Sequence, residues 1–289
     1  MEYASHILIL ISIYAMLSMA TGIIVGLSKM ISLGQAAFYG LGAYITALCV
    51  VYFDLGLIPS LLVVMLINGL VGFLLALPAV RLKGDYFILA TLAFQFIIFS
   101  LLNNLTGITN GSLGIAGIGP PVLFGTLHIA GQIPFLILSI TMALVMGFLM
   151  YKLYYSPFGL ALRAMRDDEV ALQASGRDTR RLKILAFVLS SMFIGWAAYA
   201  FANYMSFIYP GGFHLSESIF ILMAVILGGS GTIRGAVAGA AFVILIPEIL
   251  RFTGMPDNVA APLKQMIFGL ILILVMRYRP GGLLGNLKF

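Results

Sequence analysis

The charged chemistry of this chain is concentrated in one stretch. Residues 152–183, KLYYSPFGLALRAMRDDEVALQASGRDTRRLK, hold seven of its sixteen Lys and Arg residues and four of its ten Asp and Glu. Their types and spacing suit helix capping and docking rather than bond-making. Ser156-Pro157 has the form of a helix start, with Ser as N-cap and Pro at the first helical position. Asp167-Asp168-Glu169 puts negative charge at the head of a second short helix, the end its dipole makes positive. Gly176 is a natural C-terminal stop. The intervening VALQAS makes about two turns. It sets Val170, Ala171 and Ala174 on one small apolar face, a shape that fits a groove on another protein. Arg177, Arg180, Arg181 and Lys183 then read as a basic anchor at a membrane surface. The alternative is a solvated, positively charged loop with no partner.

Nothing else in the sequence has the form of a catalytic constellation. There is no GxxxxGK[ST] loop to cradle ATP phosphates. His6, His128 and His214 stand apart, and no His/Cys spacing suggests a metal site. The single Cys49 excludes a disulfide within the chain. Glu217, Arg234 and Glu248 are the ionisable residues closest to the apolar runs. Glu217 reads either as a first-turn helix residue after a Ser216 N-cap, or as a weak candidate on a translocation path. Glu248 and Arg251 read as a surface pair at helical spacing.

These residues must be positioned by membrane helices. Of 289 residues, 62% are hydrophobic and 9% charged, and the mean hydropathy is +1.10. A soluble domain carries about 25% charged residues. Apolar runs lie at 7–26, 34–53, 57–80, 86–103, 133–151, 184–207, 217–229, 235–250 and 264–277. They predict an all-α integral membrane protein, a polytopic bundle of about nine spans (eight to ten), in one transmembrane domain over 1–289. The seventh and eighth runs are short and flank GGSGTIRG, which predicts broken or half-spanning helices. The net charge of +6 sits at span ends, as the positive-inside rule places it, and is not a nucleic-acid footprint. That rule puts loop 152–183 and the C-terminus (Arg277, Arg279, Lys288) in the cytoplasm, together with the turns holding Lys29 and Arg81-Lys83. The segment 104–132, free of Lys, Arg, Asp and Glu, faces outward, as does the N-terminus. MEYASHILIL lacks a positive n-region, so the first run reads as a retained span rather than a cleaved signal.

Thirty-two glycines make up about 11% of the chain against a usual ~7%. Gly22/Gly26, Ala36/Gly40 and Gly231/Gly235/Gly239 repeat at four-residue spacing, which lets helix backbones approach closely. They serve either as static packing or as a sliding face around a path. On the second reading Gly34, Gly40, Gly228, Gly229 and Gly231 join Glu217 as path candidates. LGQAAFYGLGAY and LGGSGTIRGAVAG faintly echo one another, as repeats in transporters do. The spans offer a path without an evident energy source, since buried acids of the kind ion-coupled carriers use are scarce.

At these residues the chain resembles a known family, the inner-membrane permeases of bacterial branched-chain amino-acid ABC importers. SPFGLALRAMRDDEVALQASG resembles its cytoplasmic loop, RLKGDYFILATLAF its inner turn, and TNGSLGI its outer Gly-rich loop. FHLSESIFILMAVILGGSGTIRGAVAGA and the terminal RPGGLLG also fit. The resemblance implies a sister permease, two ATPase subunits that use the ATP, a periplasmic binding protein, inverted structural halves and no cofactor bound by this chain. It assigns Arg163, Arg166, Asp167, Asp168, Glu169, Ala171 and Gly176 to the segment that couples to the ATPase. The Glu-to-Gly spacing here is seven, against six in the general ABC-importer motif. Urea and short-chain amide permeases share the broader family. A passive channel for a small polar solute is the alternative of another class, and an ATPase that co-purifies with the chain separates the two.

Overall fold

With no water in a bilayer core, a backbone must satisfy its own hydrogen bonds, and an uninterrupted apolar run does so as a helix. The computed structural model describes residues 2–82, 84–123, 127–229 and 231–251, with scattered positions between 266 and 284. Its helices are α1 (Glu2–Gly22), α2 (Gln35–Val51), α3 (Leu57–Ala79), α4 (Asp85–Asn104), α5 (Thr106–Thr109), α6 (Gln132–Tyr154), α7 (Pro157–Asp167), α8 (Glu169–Ala174), α9 (Thr179–Met205), α10 (Leu215–Gly228) and α11 (Ile233–Arg251). Among the described residues, α1 with its π-helical extension Ile23–Leu27, α3, α4, α6 and α9 are each long and apolar enough to cross a membrane, while α2 and α10 are shorter apolar helices. The chain is a polytopic helical membrane protein. Eight of the nine expected runs coincide with α1, α2, α3, α4, α6, α9, α10 and α11. Of the ninth run, 264–277, nine positions are described and all nine are helical; Lys83, Lys264, Arg279, Lys288 and the side chains of His128 and Arg251 lie outside the described residues.

α1 forms the axis. It packs against α6, α9, α10 and α11, and Ile9, Ile13, Met16, Leu17, Ile23 and Leu27 are fully buried. α3, by contrast, exposes Leu62, Leu66, Leu70 and Leu74. Their spacing of four makes one stripe, a surface that hydrocarbon or another apolar helix must cover.

Small residues set the crossings. At Gly42 a Cβ would lie 2.7 Å from the Cβ of Ala198, and at Gly72 2.1 Å from the Ser191 hydroxyl, so α2 and α3 press closely on α9. α10 and α11 meet backbone to backbone. A Cβ on Gly228 would sit 1.9 Å from the Gly235 carbonyl oxygen, and one on Gly239 1.8 Å from that of Ala224. Gly239→Val therefore destabilises the protein by about 1–3 kcal/mol through overpacking. Gly147→Ala, whose new methyl would meet only the Met19 sulfur at 3.8 Å, is nearly neutral. Thermal unfolding of the two variants in detergent checks the contrast.

The segment after α4 is folded rather than loose. After the 3₁₀ turn Gly111–Leu113, β1 (Ile115–Ala116) pairs antiparallel with β4 (Phe207–Ile208), and β2 (Val122–Leu123) with β3 (Leu127–His128). Gly114 has φ +74°, and a Cβ there would fall 2.1 Å from the Ile208 carbonyl oxygen. These pairs build a ledge at the end of the molecule opposite α7 and α8.

Three local expectations are corrected. α9 starts at Thr179, so Arg180, Arg181 and Lys183 lie inside the helix rather than before it. The Asp178 carboxylate caps it by accepting the Arg181 N–H at 3.1 Å. Asp167 closes α7 instead of opening α8. The residue preceding α10 is His214, without a side-chain cap bond, and Ser216 lies within the helix.

Candidate functional site

The charged stretch folds into two capped helices laid across the ends of α1, α6 and α9. The Ser156 hydroxyl accepts the Gly159 N–H at 3.2 Å. At Gly159 a Cβ would lie 2.4 Å from the Leu153 carbonyl oxygen, so glycine lets α7 fold back tightly over the end of α6. Leu162 and Met165 are buried beneath α7. One Asp168 carboxylate oxygen accepts the Val170 and Ala171 N–H groups, each at 2.9 Å, and starts α8. Gly176, at φ +83°, ends it, with its N–H donated to the Gln173 carbonyl at 2.9 Å.

α8 buries none of its residues; Val170 is 74% exposed. Leu172 is half-buried against the core, and polar contacts add to this anchorage. Lys183 Nζ lies 2.6 Å from Glu169 Oε1, to which the Thr179 hydroxyl also donates at 3.2 Å. Gln173 donates to that hydroxyl at 2.8 Å. These contacts tie α8 to the first turns of α9. On the other flank Arg166 donates to the Gly26 carbonyl at 3.0 Å, at the end of α1 where the π turn Ile23–Leu27 lies. Last-turn carbonyls lack intrahelical partners, and the guanidinium supplies one. Burial pushes the Arg166 guanidinium down from its usual range, yet an arginine stays charged. Arg163 lies 5.5 Å from the Tyr155 ring centre. A cleft of about 460 Å³ runs beneath α8, with Lys29, Asp85, Arg166, Glu169 and Lys183 in its wall.

The seven loop residues thus divide. Arg166 and Glu169 bond towards the ends of α1 and α9, while Arg163 is half-buried over the Tyr155 ring. Asp167, Asp168, Ala171 and Gly176 are exposed. Sequence reasoning missed Lys183 as a tether, because a cation at a membrane boundary reads as an anchor until the helix start is known.

The six path candidates also divide. Tyr14 donates to Glu217. Tyr14 lies twelve residues into α1, about 18 Å along it, near the middle of a ~30 Å hydrocarbon core. α10 therefore begins at mid-depth, not at a membrane surface. So does α2: the Ser218 hydroxyl accepts the Ala36 N–H at 2.8 Å and donates to Gln95 at 3.4 Å, and Gln95 donates to the Phe213 carbonyl at 2.8 Å. Phe213 also fills the space a Cβ on Gly40 would need, 2.9 Å away. Gly34 sits in the same neighbourhood, beside the Thr91 carbonyl. Gly228, Gly229 and Gly231 belong to the other end of α10, eleven or more residues and at least about 17 Å away, where Gly229 (φ +111°) and Gly231 (φ +82°) form the turn into α11. Glu248 accepts from Tyr3 near the α1 N-terminus.

Buried polar groups without partners include Gln35 and Tyr39 in the first turns of α2, and Ser18 and Thr21 further along α1. Each such group costs about 1–3 kcal/mol. Tyr14, Ser18 and Thr21, spaced by four and three, share one face of α1.

A family model described as the permease component of the branched-chain amino acid transport system matches residues 3–276. The chain belongs to this family. It is a permease subunit of the branched-chain amino acid ABC importer type, a transport subunit rather than an enzyme. It is 34% identical to the high-affinity branched-chain amino acid transport system permease protein LivM of Escherichia coli (strain K12), across 94% of this chain and 68% of that protein. It is 26% identical to the corresponding LivH of Salmonella typhimurium, across 95% and 92%. To the autoinducer 2 import system permease protein LsrC of Yersinia pestis (strain Pestoides F) it is 27% identical, across 94% and 74%. No solved structure matches the chain.

Proposed function

We propose that this chain is one of two sister permeases in an importer for leucine, isoleucine and valine, driven by two ATPase subunits and fed by a periplasmic binding protein. In this reading α7 and α8 are cytoplasmic and the N-terminus lies outside, which the charge bias supports, in an inner membrane crossed about nine times by two inverted halves. α8 seats in the ATPase, and its tethers carry the closing motion of the ATPases into α1 and α9. The spans then alternate between outward- and inward-open states. The observation that carries this reading is a capped, largely exposed helix, α8, that polar bonds tie to α9, next to α7, whose Arg166 bonds the end of the α1 span. The short helices α2 and α10, starting at mid-depth, suit a path between them.

Vesicles reconstituted with all partner subunits should take up labelled leucine only with ATP inside the lumen that faces α8. Uptake by this chain without the ATPases would instead identify a facilitator. Competition by unlabelled isoleucine, valine, urea and short amides against the cognate binding protein sets the substrate range.

A further inference from the structure

The mid-depth cluster has the chemistry of a zwitterion site. Glu217 stands in the first turn of α10, where the helix dipole favours negative charge. A carboxylate at this depth faces a partner or a water-lined space, not lipid. The Tyr14 hydroxyl binds it, and Tyr14 also lines a crevice of about 270 Å³ whose other walls include Leu10, Phe201, Phe220, Val243 and, at one edge, Glu248. Opposite, Gln35 opens the 17-residue α2. It is 1% exposed, and neither of its amide atoms has a hydrogen-bond partner. One turn on, Tyr39 is equally buried and its hydroxyl is likewise without a partner. Its ring packs on Phe201 and Phe213. Ser218 joins the N-terminal turns of α2 and α10 directly.

We propose that this cluster is a substrate subsite for the head group of an α-amino acid, a reading that rests on the importer function above. Glu217 receives the α-ammonium as a charge-assisted hydrogen bond, displacing Tyr14. The N-terminus of α2, with the Gln35 amide and the Tyr39 hydroxyl, receives the α-carboxylate. The aliphatic side chain occupies the part of the crevice walled by Leu10, Phe201, Phe220 and Val243, away from Glu248. The unpartnered polar groups thus find partners only while substrate passes.

The test uses the complete transporter in vesicles, with labelled leucine uptake and binding-protein-stimulated ATP hydrolysis measured together. Glu217→Gln keeps shape and an acceptor for Tyr14 but loses the charge. Uptake should fall at least tenfold while stimulated hydrolysis stays within twofold of wild type. Gln35→Met removes an unsatisfied buried amide, so it should leave thermal stability equal or higher while also lowering uptake. Unchanged uptake in both variants overturns the subsite, as does a parallel loss of uptake, hydrolysis and thermal stability, which marks a structural role. A wild-type complex that accumulates no leucine, isoleucine or valine overturns the importer reading and the subsite with it.

Discussion

Gly176→Pro abolishes ATP-driven uptake while the protein still inserts and still folds its spans, and Gly176→Asn keeps most of the uptake. The reasoning is conformational. Gly176 has φ +83°, and a Cβ at this position meets nothing within 4 Å. Side-chain bulk is therefore irrelevant, and only the backbone angle decides the outcome. Proline holds φ near −65°, so the chain can no longer turn left-handed at this point. It must either unwind the last turn of α8 or tilt the helix relative to α9. Asparagine tolerates the left-handed region and preserves the turn. Valine should resemble proline, since a β-branched residue at positive φ costs on the order of 1–3 kcal/mol, and each ~1.4 kcal/mol is tenfold in an equilibrium. Membrane-fraction yield and detergent melting report insertion and folding, and ATP-dependent uptake in vesicles reports coupling. Equal uptake in the proline and asparagine variants would show that the orientation of α8 does not matter.

The helices were legible in the sequence because hydrocarbon imposes a simple rule, and apolar runs of about 20 residues obey it. The caps of α7 and α8 were legible for a related reason. Ser156-Pro157, Asp168 and Gly176 act within one turn of themselves, so their neighbours in sequence are their neighbours in space. Glu217 was harder. From sequence it lies at the start of an apolar run, which suggests a membrane surface. The chain dips to mid-depth before α10 begins, through a 3₁₀ turn at Pro210–Phe213. Phe213 is buried there against Gly40, and its carbonyl is bonded by Gln95. These are contacts across more than a hundred residues, and no local pattern encodes them. Gln35 and Tyr39 were invisible for the same reason. A glutamine at the head of a Gly-rich helix looks like surface until its partners are counted. The glycine ladder was legible as close packing, but Gly228, Gly235 and Gly239 bring α10 against α11, away from the cluster that contains Gly34, Gly40 and Glu217.

Exchanging the charges of Glu169 and Lys183 separates tethering from docking. Glu169→Lys faces Lys183 with a like charge at a position where the two side chains now lie 2.6 Å apart. It also removes the acceptor for Thr179. α8 then loses its chief hold on α9 while keeping the Asp168 cap, which is local. Uptake should fall at least about tenfold, because a motion received by α8 no longer reaches the span. A partly exposed pair of this kind contributes only about 1 kcal/mol to stability, so melting should shift little. The double variant Glu169→Lys/Lys183→Glu restores the attraction with its direction reversed and should recover a substantial share of the uptake. If Glu169 instead served the ATPase directly, the double variant would be as inactive as the single one, since restoring the pair does nothing for a lost contact outward. The cycle of wild type, two single variants and the double variant thus isolates the coupling between the two side chains. The same comparison made on Arg166→Lys tests the other flank. A lysine retains charge but lacks the planar fork that reaches the Gly26 carbonyl. Its effect should add to that of Glu169→Lys if α1 and α9 receive the stroke independently, and should be masked by it if only α9 does.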